Sequence, residues 1–299
     1  MSEANKNLKE RVRAFWQANP CGTKFTEAEM GTRQFYERVE EHRYEKEWHI
    51  PEAADFKSAS GLRVLEIGCG LGTDGAQFAK AGADYTGVDL TEAAVSLARK
   101  RFELFGLAGT FRTADAEKLD FADESFDLVY SHGVLHHTPD TARSVREVHR
   151  VLRTGGRAVV MLYHRDSYNY RVNIGVLRRA GAHLLKSEAG LKLVHRLTGE
   201  PVDSLREHAR NIKADAASYL APGEFLSQNT DGAGNPLARV YSRKEARELF
   251  KDFADVRLAT HFLNKRWLPV IGNLLPRSTE AKLAARWGWH LWIYATKKQ

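Results

Sequence analysis

From residue 63 to residue 163, short apolar runs alternate with longer stretches whose apolar positions recur every three or four residues. Val64-Leu65-Glu66-Ile67, Tyr85-Thr86-Gly87-Val88, residues 110–113, Phe126-Asp127-Leu128-Val129-Tyr130-Ser131 and residues 158–163 have the length and the β-branched or aromatic content of strands. The intervals 73–81, 91–105 and 139–152 read as helices. Thr91 is placed to cap the second and Gly106 to stop it, while Thr138 is placed to cap the third. Thr154-Gly155-Gly156 breaks that third helix before the last strand. Regular strand–helix alternation predicts an α/β domain, with helices on both faces of a largely parallel sheet.

The flanking regions lack this rhythm. Leu8, Val12, Phe15 and Trp16 fall on one helical face that Asn19-Pro20-Cys21-Gly22 terminates. A second helical run covers 27–48, with Phe35, Tyr36, Val39 and Tyr44 as candidate buried positions. These first residues read either as two amphipathic helices packed on the domain or as a lid over its ligand, lined by Tyr44 or Trp16. After residue 163 the pattern is mostly helical, as in 172–185 and 191–197, and then rich in Gly and Pro from 222 to 236. Ser242-Arg243-Lys244-Glu245 is a capping box expected to open a helix to Phe253. A strand near 255–262, a loop-rich segment and a strand at 289–296 close the chain. The expected organisation is 1–60 helical lid, 61–163 core, 164–240 helical insertion and 241–299 completing the core.

Composition alters this picture in one respect. A hydrophobic content of 43% and a charged content of 28% over 299 residues are those of an ordinary soluble globular protein. Two cysteines, Cys21 and Cys69, make no disulfide framework and suggest a reducing, cytoplasmic setting. The first residues lack the apolar core of a signal peptide, and no run approaches a transmembrane length. The net charge of +7, however, is concentrated: residues 257–299 hold eight Lys and Arg against one acidic residue. Four of the six tryptophans also lie beyond residue 260.

The chemistry centres on Val64-Leu65-Glu66-Ile67-Gly68-Cys69-Gly70-Leu71-Gly72, an apolar strand running into glycines at alternate positions. Glycine permits a sharp turn and close backbone approach to a ligand at the carboxyl end of the strand. A dinucleotide fingerprint would read G-x-G-x-x-G and face a pyrophosphate. Here the spacing is G-x-G-x-G and Glu66 stands two residues ahead of it, which suits a cationic ligand instead. Asp89, seventeen residues after Gly72, ends the second strand where a nucleoside-binding fold places an acceptor for ribose hydroxyls.

This arrangement resembles motif I of class I S-adenosylmethionine (SAM) methyltransferases. Asp115-Ala116-Glu117, "SHGVLHH" at 131–137 and "RVLRTGG" at 150–156 follow in the order found in the members that include quinone-biosynthesis C-methylases. The resemblance implies a Rossmann-like doubly wound seven-stranded sheet of order 3-2-1-4-5-7-6, strand 7 antiparallel, with SAM as cofactor and S-adenosylhomocysteine as product. It also implies cofactor contacts from Glu66, Gly68, Cys69, Gly70, Gly72, Asp89, Leu90, Asp115, Ala116, Ser131 and Gly133, to which the lid reading adds Tyr44. The insertion after strand five would be a substrate cap, and the substrate a small, hydrophobic metabolite.

A methyl group on a sulfonium is already activated, so positioning and exclusion of water can supply most of the acceleration. A hydroxyl acceptor would also need a base, for which His132, His136 and His164 are the candidates, with His137, Tyr163 and Asp166 nearby in sequence. The histidines could equally serve only to bond backbone groups. A zinc reading of His132, His136 and His137 lacks a neighbouring cysteine or further ligand in the sequence, and no metal is expected. The basic, tryptophan-rich tail reads as an edge hairpin or as a surface resting peripherally on anionic membrane. It has no dense basic run of the kind that grips nucleic acid. Two rival functions remain open at this point: an RNA methyltransferase, and a SAM-binding regulator or scaffold without turnover.

Overall fold

The computed structural model describes residues 3–264 and 275–298. Helices α1 (Glu3–Ala18), α2 (Arg33–Lys46) and α3 (Ile50–Ala54) precede β1 (Arg63–Ile67). There follow α4 (Thr73–Lys80), β2 (Asp84–Asp89), α5 (Glu92–Phe105), β3 (Thr110–Thr113), β4 (Phe126–His132), α6 (Thr141–Val151) and β5 (Leu152–Tyr163). A π-helical turn run, Asn169–Arg178, leads into α7 (Arg179–Leu184), α8 (Glu188–Thr198), α9 (Val202–Ala214), α10 (Ala216–Tyr219) and α11 (Pro222–Gln228). The chain then forms α12 (Arg243–Leu249), β6 (Phe253–His261), α13 (Arg277–Trp287) and β7 (His290–Lys297).

The strands form one seven-stranded mixed sheet in the order β3-β2-β1-β4-β5-β7-β6. β1 is central, and Val64, Leu65 and Ile67 are all buried, as expected for a parallel strand covered on both faces. It pairs in parallel with β2 (Leu65 opposite Thr86) and with β4 (Leu65 opposite Val129). The reversal of connection order beside β1 opens the crevice at the carboxyl ends of β1 and β4 where this topology takes ligands.

The chain divides into two compact units. The first comprises 1–162, 243–259 and 291–299 and carries the sheet; the second comprises 163–242 and 260–290. In the first, α2 packs Phe35, Tyr36 and Val39 against Leu71, with Leu97, Leu104 and Phe105 of α5 at the edge of the same cluster. Buried Arg101 fastens this contact by pairing with Glu40 and donating to the Thr73 hydroxyl at 3.1 Å. In the second, Arg178, Ser204, His208 and Tyr219 surround Glu200 and its neighbours.

Several boundaries differ from the sequence expectation, each for a local reason. α2 begins only at Arg33, because Gly31 takes a φ of +85° and Thr32 then caps the helix by accepting from the Phe35 N–H. α6 is capped by Asp140 accepting from the Arg143 N–H at 2.9 Å, while Thr138 donates back to the Leu135 carbonyl. β5 starts at Leu152, ahead of the Gly155-Gly156 pair, which it accommodates by a register slip opposite Asp127. α12 stops at Leu249, and Phe253 opens β6 instead of ending the helix. The loop-rich segment contains α13. Residues 265–274 of that segment lie outside the described residues.

Candidate functional site

Gly68, Gly70 and Gly72 all adopt positive φ, at 80°, 51° and 70°. At Gly68 a β-carbon would lie 2.1 Å from the Val134 side chain, so only glycine fits. At Gly70 a β-carbon would meet nothing within 4 Å, so the bare backbone there faces open space. The Gly68 and Cys69 N–H groups both donate to the Val88 carbonyl, at 2.7 and 3.0 Å, which ties the loop to the end of β2. Burial, with the nearby charges of Asp89 and Glu66, pushes the Cys69 thiol up, so it stays neutral.

Asp89 completes the loop. One oxygen accepts from the Gly70 N–H at 3.1 Å, and the other accepts from the Thr91 N–H and hydroxyl, both at 3.0 Å. Burial raises its pKa while these hydrogen bonds oppose the rise. Leu90 lies between Asp89 and the Thr91 cap of α5 and is half-buried.

Glu66 is buried beneath the loop, its Oε2 accepting from the Tyr85 hydroxyl at 2.6 Å. Burial and the neighbouring Asp74 charge hold its pKa well above the usual carboxylate range. The Tyr85 hydroxyl reaches it through space left by two glycines: a β-carbon at Gly75 or Gly87 would lie 2.2 or 2.7 Å from that oxygen.

Asp74, in the first turn of α4, gathers four donors. Arg43 grips it bidentately, Nε to Oδ1 at 3.0 Å and Nη2 to Oδ2 at 2.6 Å. Tyr44 donates to Oδ1 at 2.9 Å and Tyr130 to Oδ2 at 2.8 Å. Burial works against its ionisation, yet Arg43 and the phenols hold its pKa below the ordinary value. Arg43 Nη2 also lies 3.2 Å from His132 Nδ1. A guanidinium can only donate, so that nitrogen accepts and the imidazole proton sits on Nε2. Burial and the Arg43 charge push the His132 pKa well down, leaving the ring neutral.

Asp115 follows β3. Its Oδ1 accepts from the Glu117 N–H at 2.9 Å, and its Oδ2 accepts from Lys9 of α1 at 2.6 Å. Ala116 beside it is buried. Ser131 is buried in β4 with its hydroxyl donating to the Ile67 carbonyl at 3.0 Å, and Gly133 follows with a φ of 77°. His136 and His137 are buried in a single 3-10 turn, with ring centroids 4.3 Å apart. The Trp16 ring of α1 meets His137 edge-on at 5.4 Å.

One arrangement in the first unit thus gathers Glu66, the glycine loop, Asp89, Leu90, Asp115, Ala116, Ser131, His132, Gly133 and His136 at or just beyond strand ends. Tyr44 joins it through Asp74. His164 belongs to the second unit, where it is buried and donates from Nδ1 to the Gly288 carbonyl at 3.0 Å. The sequence reading did not single out Lys9, Arg43, Asp74, Tyr85 or Tyr130. Asp74 offered one signal, an acid two residues after the last loop glycine.

Residues 65–160 match a family model described as a methyltransferase domain. Over 99 residues the chain is 44% identical to the phthiotriol/phenolphthiotriol dimycocerosates methyltransferase of Mycobacterium leprae, which covers 32% of this chain and 36% of that protein. Over 115 residues it is 35% identical to the ubiquinone biosynthesis O-methyltransferase of Ruegeria pomeroyi, covering 38% of this chain and 46% of that protein. The matches thus span less than half the length of these curated relatives. The solved structure of magnesium protoporphyrin IX methyltransferase from Synechocystis PCC 6803, with bound S-adenosylhomocysteine, aligns with a TM-score of 0.55 at 16% identity. It covers 97% of this chain and 100% of that one, a likeness of fold.

Proposed function

We propose that this chain, which carries a class I SAM-dependent methyltransferase domain over residues 65–160, transfers a methyl group from SAM to a small, hydrophobic metabolite. The observation that carries the reading is the loop after β1, with three alternate glycines at positive φ and carboxylates at Glu66, Asp89 and Asp115. The relatives are named for phthiotriol and phenolphthiotriol dimycocerosates and for ubiquinone biosynthesis, which favours a small acceptor over RNA.

The residues present suit the cofactor. Gly70 leaves bare backbone where a ligand can pass, and no phosphate-binding row of amides is needed for a ligand that carries none. In this reading Glu66, Gly68, Cys69, Gly70 and Gly72 take the methionine and ribose portions. Asp89 with Leu90 takes the ribose hydroxyls, and Asp115 with Ala116 takes the adenine. Ser131 serves through the backbone of β4, since its hydroxyl is engaged by Ile67, and Gly133 lines the turn beyond. Tyr44 acts indirectly, by orienting Asp74 at the start of α4.

Bound SAM supplies a methyl group on a sulfonium sulfur, open to in-line displacement by a nucleophile. The chain's part is to hold the acceptor in line and exclude water, with α1 as the lid. His132 is neutral, as a base must be, but its Nδ1 lone pair is directed at Arg43. Proton removal by His132 therefore needs Arg43 to turn away or the imidazole to change tautomer. His136, four residues further on and buried in the same unit, is the other candidate there. His132→Asn should lower kcat at least a hundredfold and abolish its acid limb if His132 is the base; a change under tenfold assigns it to the wall of the site.

The setting we propose is cytoplasmic, with peripheral contact to anionic lipid through the basic segment 257–299. Among the described residues no helix is long and apolar enough to cross a membrane. Flotation with vesicles containing phosphatidylglycerol, lost on Arg/Lys→Glu changes in that segment, tests the contact. The activity itself is tested by incubating the protein with methyl-labelled SAM and a fractionated extract. A labelled small molecule is the expected product; calorimetry showing NAD bound and S-adenosylhomocysteine not bound would overturn the reading.

A further inference from the structure

The Asp115 carboxylate is not free to turn. Its Oδ1 accepts from the Glu117 N–H at 2.9 Å, and its Oδ2 is held by Lys9 Nζ at 2.6 Å. The same ammonium lies 2.7 Å from Glu117 Oε2. Glu117 is buried, its side chain only 1% exposed, and its other oxygen accepts from the Asp140 N–H at 2.8 Å. The Lys9 side chain is itself 12% exposed, whereas that of Asp115 retains 32%. One ammonium from α1, 106 residues away in sequence, thus sits between two carboxylates and leaves the outer one presented.

We infer that Lys9 is a positioning residue for adenine recognition: it fixes the Asp115 carboxylate so that its remaining lone pair selects a ligand with a 6-amino group over one with a 6-oxo group. The inference rests on the reading of Asp115 as the adenine contact. The chemistry is that of a donor–acceptor match. An exocyclic amino group donates to the held carboxylate, while a carbonyl at the same place would bring oxygen against oxygen. Without Lys9, Asp115 and Glu117 would lose the ammonium they share, and the Asp115 carboxylate would be held only by the Glu117 N–H and could rotate. A carboxylate free to rotate no longer keeps its lone pair where the 6-amino group arrives, so selection would fade. Burial works against the charge of Lys9, but hydrogen bonds to Asp115 and Glu117 outweigh it and raise its pKa, so it stays an ammonium at neutral pH.

The test compares binding of S-adenosylhomocysteine and its 6-oxo analogue, S-inosylhomocysteine, by calorimetry on the full chain. The wild type should prefer the amino ligand, and Lys9→Met should cut that preference about tenfold, chiefly by weakening the amino ligand. Lys9→Arg, which keeps a cation able to bridge two carboxylates, should restore it. If Lys9→Met weakens both ligands equally, Lys9 only packs α1 and the proposal fails; unchanged binding of both ends it as well. Asp115→Ala separates the underlying reading: if that variant keeps the wild-type preference, Asp115 does not read the adenine and the inference falls with it. A melting curve for each variant keeps loss of fold apart from loss of selection.

Discussion

Asp74 and Glu66 are two buried carboxylates in one small region with opposite electrostatic situations. Asp74 has a bidentate guanidinium and two phenols; Glu66 has one phenol and a like charge nearby. Replacing Asp74 with Asn removes the bidentate partner of Arg43 and leaves it only the Glu47 carboxylate, 3.2 Å from Nη1, and the expected loss is roughly 3 kcal/mol in urea unfolding, the low end for breaking a buried pair. Because the folded pKa of Asp74 lies below its ordinary value, its contribution is complete above the usual carboxylate range and is lost as pH falls through the folded pKa. Glu66 has the reverse sign: its folded pKa is raised, so ionisation opposes folding as pH rises above the ordinary value. Glu66→Gln should therefore keep or increase the midpoint of unfolding at pH 7 while weakening S-adenosylhomocysteine. A loss as large as that of Asp74→Asn would show that the assignment of charge is wrong. These partnerships were not legible in the sequence. Arg43 and Asp74 are 31 positions apart, Lys9 and Asp115 106, and no local pattern links them. The loop glycines were legible because their demand on the backbone is local.

At the scale of elements, β1, β2 and β4 follow the sequence pattern closely, since each is a short, largely apolar run, whereas β5 extends back through the glycine pair to Leu152. α13 was hidden for a physical reason. Among its residues Glu280 and Ala284 are buried while Trp287 is exposed, so its apolar positions draw no continuous stripe. α12 ends early because residues 250–252 turn and the apolar Phe253 enters the sheet. The helices of the second unit carry a prediction of their own. Glu200 precedes α9 and accepts from Ser204 at 3.1 Å; His208 lies 3.7 Å away, and Arg178 pairs with its other oxygen at 3.2 Å. Burial works against its charge, but His208 and Arg178 bring its pKa down to about 2. That shift corresponds to at most about 3 kcal/mol, present above the ordinary glutamate pKa and lost as pH falls from there towards 2. Glu200→Gln should accordingly be less stable than the wild type at pH 7, with the gap closing between about pH 4.5 and 2. Thermal unfolding across that range checks it, and a gap that persists in acid would assign the loss to packing instead.

For the whole chain, a ligand that binds only the folded form must raise its unfolding temperature. S-adenosylhomocysteine at one hundred times its Kd should add about 2.7 kcal/mol, and NAD at the same concentration nothing. The charge distribution matters at this scale too. With eight basic and one acidic residue in 257–299, the remainder of the chain is close to neutral, so any anionic surface should meet the tail first.

The Tyr85 hydroxyl occupies the volume that side chains at 75 and 87 would need, and in doing so reaches Glu66. Positions 66, 75, 85 and 87 are therefore one unit of inheritance. Among homologous sequences, a residue larger than glycine at 75 should appear only where the ring at 85 has been replaced by something shorter, and the acid at 66 should then drift, having lost its donor.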